Sequence, residues 1–389
     1  MTEDWAARWR GHFPLCERRA YFFAGAQAPL ATEVRQAADD FLELWDERAW
    51  RFEPAGWDLL EASADLLGGL LGCDPGRVAP ADSTSHAMGL ATGMVFARWI
   101  REGRRPANVV LQHDSHPAST YPWINAQRLG APVELRWAVP EDGQNAGDAL
   151  AAAVDDQTLA VVVTHVSFRT GERVDIPALA GRFADRRFAL MVDAAQSAGA
   201  LDLSAETAVC DFIGMPAYKW LLGPPGVGFL VAGADWLDDV GPPFVGWASA
   251  REYSVMDSGH MELRTGGGSL RAGMPNFLGL AGAVAGLQLY AQAGPRPVEE
   301  RIRELTDRLM TGLGMLGYGS PTPRDWASRA GVVLVDLPDA AATMSRLMDA
   351  GIEVGVEEGR LRVDPHAYNT KAEIDLLIEH LSAESGAAS

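Results

Sequence analysis

The sequence predicts an α/β protein with a mostly parallel sheet that helices cover on both faces. Short apolar runs rich in β-branched residues alternate with segments of helical periodicity through much of the chain. The runs are apolar throughout instead of at every second position, which is typical of strands that are buried on both faces. The predicted strands span 108–112, 133–137, 159–166, 188–194, 211–215 and 228–232.

Helical periodicity is clearest at 32–48, 57–71 and 85–101, the last of which follows capping residues in the segment DSTSH. Shorter helices are predicted over 147–154 and 177–185. After about residue 285 the order of elements changes, which indicates a second, smaller α+β domain. It is predicted to contain a helical region over 280–316, a strand over 332–337, a helix over 341–350, a β-rich segment over 353–365 and a closing helix over 371–383.

This change divides the chain into four predicted parts. They are an N-terminal arm over 1–20 that packs with the small domain or a dimer partner, a large domain over 21–285, a small domain over 286–383 and a frayed tail over 384–389.

Composition and charge exclude several classes of function. The 389 residues carry a formal net charge of −19, so neither nucleic acid nor an anionic membrane is an expected partner. No run approaches the roughly 18 apolar residues of a membrane helix, and the charged N-terminus is unlike a signal peptide. The three cysteines, Cys16, Cys73 and Cys210, are too few and too scattered for a disulfide framework or a cysteine metal site. We therefore expect a cytoplasmic protein with no bound metal.

Lysine is almost absent from this chain. Of its 33 lysine and arginine residues, only Lys219 and Lys371 are lysines. Lys219 follows a predicted strand, and so do Asp193 and Gln196 in the segment MVDAAQSAG. The ends of neighbouring parallel strands form the ligand-binding edge of an open α/β sheet. A lysine, an acid and an amide at that edge are the groups that pyridoxal phosphate requires, since the lysine forms a Schiff base and the acid pairs with the pyridine nitrogen.

Several motifs share this order along the chain: ADSTSHAMGL, HDSHPASTYPW, THVSFRTGE, VDAAQSAGA, AYKWLLGPPGVGFL, RAGMPN and GRLRVDPHAYNT. Together they resemble the class V aminotransferase-like enzymes of fold-type I, in particular the kynureninase and isopenicillin-N-epimerase-like branch. The resemblance covers nearly the whole chain. It implies pyridoxal phosphate as cofactor, an amino acid as small-molecule substrate, and a homodimer with active sites at the interface.

The resemblance also implies roles for individual residues. Lys219 would form the Schiff base and later move the Cα proton, while Asp193 would keep the ring nitrogen protonated. Gln196 would bind the ring oxygen, and His116 would stack on the ring. The remaining implied contacts are Thr84, Ser85 and Tyr218 for the phosphate and Arg362 for the substrate carboxylate, for which a bidentate arginine is well suited. His165 is expected to be structural.

The chain departs from the family pattern at two places. Met274 stands where the family commonly has a threonine that reaches the phosphate across the dimer interface. The segment before Arg362 has no cysteine, although desulfurases carry their nucleophile there. The sequence is therefore not expected to be a persulfide-forming desulfurase.

The reaction itself is left open by the sequence. A lyase that cleaves the side chain of a modified amino acid, such as the carbon–sulfur bond of a cysteine conjugate, is the favoured hypothesis. An amino-acid epimerase, an aminotransferase and a kynureninase-type hydrolase are alternatives, and a non-catalytic protein of the same fold is a remote one.

Overall fold

The computed structural model describes residues 4–183 and 185–385. These residues form twelve strands. In chain order they are β1 (Ala20–Tyr21), β2 (Val78–Ala81), β3 (Ala107–Gln112), β4 (Val133–Ala138), β5 (Thr158–Thr164), β6 (Ala189–Asp193), β7 (Phe212–Pro216), β8 (Gly228–Ala232), β9 (Val333–Val335), β10 (Ile352–Glu353), β11 (Gly355–Glu357) and β12 (Arg360–Val363).

The same residues form thirteen α-helices. They are α1 (Asp4–Arg10), α2 (Thr32–Arg48), α3 (Glu53–Leu71), α4 (Thr84–Arg101), α5 (Pro117–Arg128), α6 (Ala146–Ala153), α7 (Ile176–Gly181), α8 (Ser204–Val209), α9 (Ala234–Asp239), α10 (Phe277–Ala293), α11 (Pro295–Met315), α12 (Ala340–Asp349) and α13 (Lys371–Ser385). None of the helices in the described part of the chain is long and apolar enough to cross a membrane.

The central sheet has seven strands in the order β2-β8-β7-β6-β5-β3-β4. The five strands from β7 to β4 pair in parallel, whereas β8 and β2 pair antiparallel at one end. Alternate residues of one strand enter different apolar layers. Val161 and Val163 of β5 pack into one layer, while Val162 packs into the other. The predicted α/β class with a mostly parallel, helix-covered sheet is therefore confirmed.

A second sheet of three short strands, in the order β11-β12-β9, has an apolar cluster of its own. Strands β11 and β12 form a hairpin whose turn is Glu358-Gly359, both with positive φ. Strand β1 also reaches this part of the molecule, because Ala20 and Tyr21 pair in parallel with β10. The N-terminal segment thus connects the start of the chain to the C-terminal elements.

The helical region predicted over 280–316 is present in the structure. It is two helices, α10 and α11, separated at Gly294, which has φ +82°, and followed by Pro295 at the start of α11. Proline cannot donate the backbone hydrogen bond that would continue α10. The proposed domain limit at 285/286 falls inside α10, and the limits stay a prediction.

The two ends of the chain lie together. Trp9 of α1 donates from Nε1 to the Leu289 carbonyl at 3.2 Å, and Arg10 pairs with Glu373 of α13 at 2.8 Å. Helix α13 continues to residue 385, so the first two residues of the predicted tail are helical. The rest of that tail, 386–389, lies outside the described residues.

Candidate active site

The predicted lysine and acid meet at the carboxyl edge of the central sheet. Asp193 is the last residue of β6, and Lys219 follows the end of β7 by three residues. Because β6 and β7 are parallel neighbours, their ends lie side by side. A cavity opens at this edge and is lined by Ser83, Thr84, Ser85, His116, Ala118, Thr164, Val166, Phe168, Asp193, Ala195, Gln196, Tyr218 and Lys219.

Asp193 is fixed by two hydrogen bonds. Ser119 of α5 donates its hydroxyl to Oδ2 at 2.7 Å, and the backbone N–H of Ala195 donates to Oδ1 at 2.9 Å. Asp193 and Ser119 are both buried, with exposed fractions of 3% and 0%. Two donors stabilise an ionised carboxylate in this buried position. Sequence reasoning missed Ser119, because a serine inside a helix carries no signal of its own.

Burial lowers the pKa of Lys219 to about 8. The positive charge of Arg362 acts in the same direction, and the carboxylates of Asp193 and Asp364 oppose it. An amine with this pKa is largely neutral slightly above physiological pH, and only the neutral amine is a nucleophile or a base.

The N-terminus of α4 lies at the same cavity. Ser83 caps this helix, and its hydroxyl accepts from the His86 N–H at 3.2 Å. Thr84 and Ser85 occupy the first two helical positions, where backbone N–H groups have no partner within a helix. Such N–H groups and the helix dipole together favour a phosphate.

His116 is the N-cap of α5, and its Nδ1 accepts from the Ala118 N–H at 3.1 Å. This bond places the proton of the neutral imidazole on Nε2. Partial burial lowers the pKa of His116, and Lys219 lowers it further, so the ring is neutral at pH 7. Its edge packs against Phe168 with ring centroids 5.4 Å apart.

Gln196 is held in one orientation by two neighbours. Trp220 donates from Nε1 to Oε1 at 2.9 Å, and Nε2 donates to the Gly25 carbonyl at 3.0 Å. The second proton of Nε2 remains for a ligand acceptor. Trp220 is in turn stacked on His366 with centroids 5.6 Å apart. The sequence did not predict this bond, because nothing in the motif around Lys219 shows which residue the indole contacts.

Arg362 of β12 reaches the site from the C-terminal sheet. Its Nε lies 2.9 Å from Oδ2 of Asp364, and its Nη2 is buried with no hydrogen-bond partner. A methyl group at Gly25 would lie 2.4 Å from both Nη2 and this Oδ2, and 2.7 Å from Oε1 of Gln196. Gly25 therefore stands where Arg362, Asp364 and Gln196 meet, and only glycine leaves room for them.

Two further positions from the sequence analysis, Met274 and His165, lie apart from the cavity. Met274 is 53% exposed and borders a different surface cavity with Asp82 and His86. His165 is fully buried, with Nδ1 3.0 Å from the Ser197 hydroxyl, and burial lowers its pKa to about 3. A neutral, hydrogen-bonded histidine of this kind supports the site's framework.

The arrangement fits the phosphorylated pyridine cofactor that the sequence predicts. It offers unpaired N–H groups for a phosphate, a buried carboxylate for a ring nitrogen and a lysine of lowered pKa for an aldehyde. The unpartnered Nη2 of Arg362 provides one further donor for an anionic ligand.

Comparisons with known proteins agree with this fit. Residues 20–377 match the aminotransferase class V family. The chain is 25% identical to a probable cysteine desulfurase of Methanothermobacter thermautotrophicus, with 97% of each chain covered. It is 28% identical to the isopenicillin N epimerase of Streptomyces clavuligerus, over 85% of this chain and 84% of that enzyme.

Solved structures share the fold. The cystine C–S lyase C-DES, in complex with its product cysteine persulfide, superposes with a TM-score of 0.81 at 22% identity, covering 95% of this chain and 99% of C-DES. A variant of C-DES with glycine covalently linked to its pyridoxal phosphate gives a TM-score of 0.83 at 23% identity, covering 96% and 98%. With the family match over most of its length, the chain belongs to the aminotransferase class V family and is a pyridoxal phosphate-dependent enzyme.

Proposed function

We propose that this enzyme is a lyase that removes the side chain of a modified amino acid by β-elimination, for example by cleaving the carbon–sulfur bond of a cysteine S-conjugate. One observation carries the proposal: the site combines Lys219 and Arg362 with no cysteine. Cys16 and Cys210 are only 2% and 6% exposed, and Cys73 follows α3 outside the cavity lining. Without a protein nucleophile, the leaving group must depart unassisted by a thiol.

Substrate positioning is proposed to depend on Arg362. Its unpartnered Nη2 binds the α-carboxylate, while Asp364 fixes the other side of the guanidinium at Nε. A held carboxylate allows only one orientation of the bonds at Cα. This orientation determines which Cα bond is broken.

Proton transfer is proposed to depend on Lys219. Its pKa of about 8 lets the neutral amine take the Cα proton as a general base near neutral pH. Bound pyridoxal phosphate supplies the electron sink for the negative charge that develops at Cα. Asp193, which accepts hydrogen bonds from Ser119 and the Ala195 N–H, would pair with the pyridine nitrogen.

The remaining roles are also proposals. Thr84, Ser85 and Tyr218 hold the phosphate, and Gln196 donates its spare N–H to the ring oxygen. His116, whose orientation is fixed by the hydrogen bond from the Ala118 N–H, would stack on the pyridine ring.

The elimination balances without an added oxidant or reductant. Lys219 removes the proton from Cα, and the electron pair of that bond forms the Cα–Cβ double bond. The Cβ–S bond breaks, and its electron pair leaves with sulfur, which becomes a thiol after protonation. Hydrolysis of the three-carbon remainder gives pyruvate and ammonium.

One similarity supports a lyase: C-DES, a cystine C–S lyase, has the same fold. The relatives in sequence include an epimerase and a probable cysteine desulfurase, so the alternatives need the same assay. The lyase proposal is tested by incubating the enzyme with a series of cysteine thioethers and measuring pyruvate and thiol. Equal amounts of both products are expected. Racemisation, or stoichiometric keto-acid exchange without thiol release, would contradict it.

A homodimer is proposed as the functional state. The segment from 244 to 274 exposes large apolar side chains, with Phe244, Val255 and Met274 between 53% and 66% exposed. A monomer seldom leaves several such side chains of one segment in water. Analytical ultracentrifugation should give a dimer mass, and a strictly monomeric active enzyme would contradict the proposal.

A further inference from the structure

Arg362 is enclosed by groups of its own chain. Its guanidinium carbon lies 5.6 Å from the centre of the Phe23 ring, and its Nε lies 2.9 Å from Asp364. Nη1 lies 3.8 Å from Oε2 of Glu357, on the neighbouring strand β11. The residue is only 4% exposed. One cation therefore faces two carboxylates before any substrate arrives.

The two carboxylates differ in their surroundings. Asp364 is fully buried, beside Gly25, and cannot turn away into solvent. The side chain of Glu357 is 27% exposed, and its charge also acts on the imidazole of His116. Burial raises the pKa of Asp364, while the neighbouring Arg362 lowers it. Both carboxylates remain near a ligand that binds at Nη2.

Other cations in the described part of the chain do not offset these charges. Lys219 faces both Asp193 and Asp364. Arg169, the other cation near His116, forms an ion pair with Glu358 through Nη1, although its Nε is buried with no hydrogen-bond partner. A substrate α-carboxylate can use the donor that Nη2 leaves open, but a second carboxylate would meet Glu357 and Asp364 with no unpaired cation to receive it.

We propose that Glu357 and Asp364 select against a second carboxylate, so that the substrate is an amino acid with one carboxylate and a neutral or cationic side chain. The inference rests on the proposed role of Arg362 in binding the α-carboxylate and narrows the substrate class of the proposed lyase. Glu357 acts as a specificity-determining residue. Asp364 orients the guanidinium of Arg362, and its carboxylate also contributes to the repulsion of a second substrate carboxylate.

The test is equilibrium binding of isosteric amino acids that differ only in charge. The holoenzyme is titrated with L-asparagine and L-aspartate, and then with L-glutamine and L-glutamate, by calorimetry at pH 7.5. Each amide should bind at least about tenfold tighter than its acid, because like charges a few ångströms apart repel strongly in a partly buried site.

Two variants locate the discrimination. Glu357 is partly exposed, so Glu357→Gln should be tolerated. By removing one of the two carboxylates, it should reduce the preference for each amide over its acid to about threefold or less. Asp364→Asn keeps an acceptor for Nε and should also reduce this preference. Glu353→Gln is the matched control, because Glu353 pairs with Arg19 and not with Arg362. It should leave both ratios unchanged.

Equal affinities for acid and amide in the wild type would overturn the proposal, and so would ratios that neither variant narrows. Tighter binding of the acids would also overturn it and would point to Arg169 as the receiver of a second carboxylate. Absence of binding by all four amino acids would overturn the role of Arg362 as well. These results do not depend on which bond is later broken, so they are distinct from a failure of the lyase assay.

Discussion

The two sides of the active site are built in different ways. The proposed cofactor side lies at the ends of parallel strands, where Asp193 is the last residue of β6 and Lys219 lies three residues after β7. The proposed substrate side is assembled from distant parts of the chain, where Arg362 and Asp364 meet the segment around Gly25. Backbone hydrogen bonds join them, from Ala28 to the Tyr218 carbonyl and from Asp364 to the Phe22 carbonyl. The comparison indicates that the N-terminal segment sets the distance between the two sides.

The largest effect is expected on the cofactor side. Lys219→Ala should remove the yellow absorbance of the enzyme and lower kcat by at least about 10³-fold, because no other amine in the cavity can act as nucleophile and base. Spectrophotometry and a turnover assay measure both. Lys371→Ala is the control, since Lys371 pairs with Glu304 at 2.6 Å on the surface. Equal loss in both variants would contradict the assignment.

A smaller effect is expected from the residue behind the acid. Ser119→Ala removes the hydroxyl that donates to Asp193 and should weaken pyridoxal phosphate binding about tenfold, because outer-shell partners orient the groups that touch a ligand. Fluorescence titration of the apoenzyme gives the Kd. Ser63→Ala, a buried serine that bonds only its own helix at the Leu60 carbonyl, should leave the Kd unchanged. An unchanged Kd in Ser119→Ala would show that Asp193 needs no such support.

On the substrate side, Gly25→Ala should weaken L-asparagine binding by about tenfold, since the added methyl must displace Arg362 or Asp364, and small misplacements are costly in a preorganised site. Pyridoxal phosphate binding should change much less. Calorimetry measures the affinity for each ligand separately. Gly69→Ala, where the methyl meets open space on α3, is the control and should bind both ligands normally. If Gly25→Ala weakened the binding of L-asparagine and of pyridoxal phosphate equally, the substrate side and the cofactor side would not be independent.

The mildest test uses pH. Burial lowers the pKa of Lys219 to about 8, so below this pH the amine is protonated and cannot attack an aldehyde. The rate at which the apoenzyme regains its absorbance with added pyridoxal phosphate should rise with pH and level off above about 8. Stopped-flow absorbance measures it. A rise that continues towards pH 10 would indicate an ordinary, solvated lysine.

How much could be predicted from the sequence differs between these two sides. The strands that carry Asp193 and Lys219 were located within one or two residues, because a strand buried on both faces leaves a continuous apolar run. Ser119 and Gly25 left no such signal, since their importance comes from contacts between elements far apart in sequence. Gly294 shows another limit: helical sequence continues on both sides of it, and the turn at its positive φ separates α10 from α11.

Asp364 illustrates a further limit. The sequence places it two residues after Arg362, where strand alternation puts both side chains on one face. The spacing alone does not show that the carboxylate is fully buried and faces the guanidinium instead of solvent. Burial of that pair depends on Phe23 and Gly25, more than 300 residues earlier in the chain.

The central claim is that Lys219 carries the cofactor. Reduction of the purified enzyme with borohydride fixes the cofactor on its lysine, and peptide mass spectrometry then locates it. We expect the pyridoxyl-phosphate mass on the peptide that contains Lys219 and on no peptide that contains Lys371. A label on Lys371, or no label on an enzyme that is yellow before reduction, would contradict the claim.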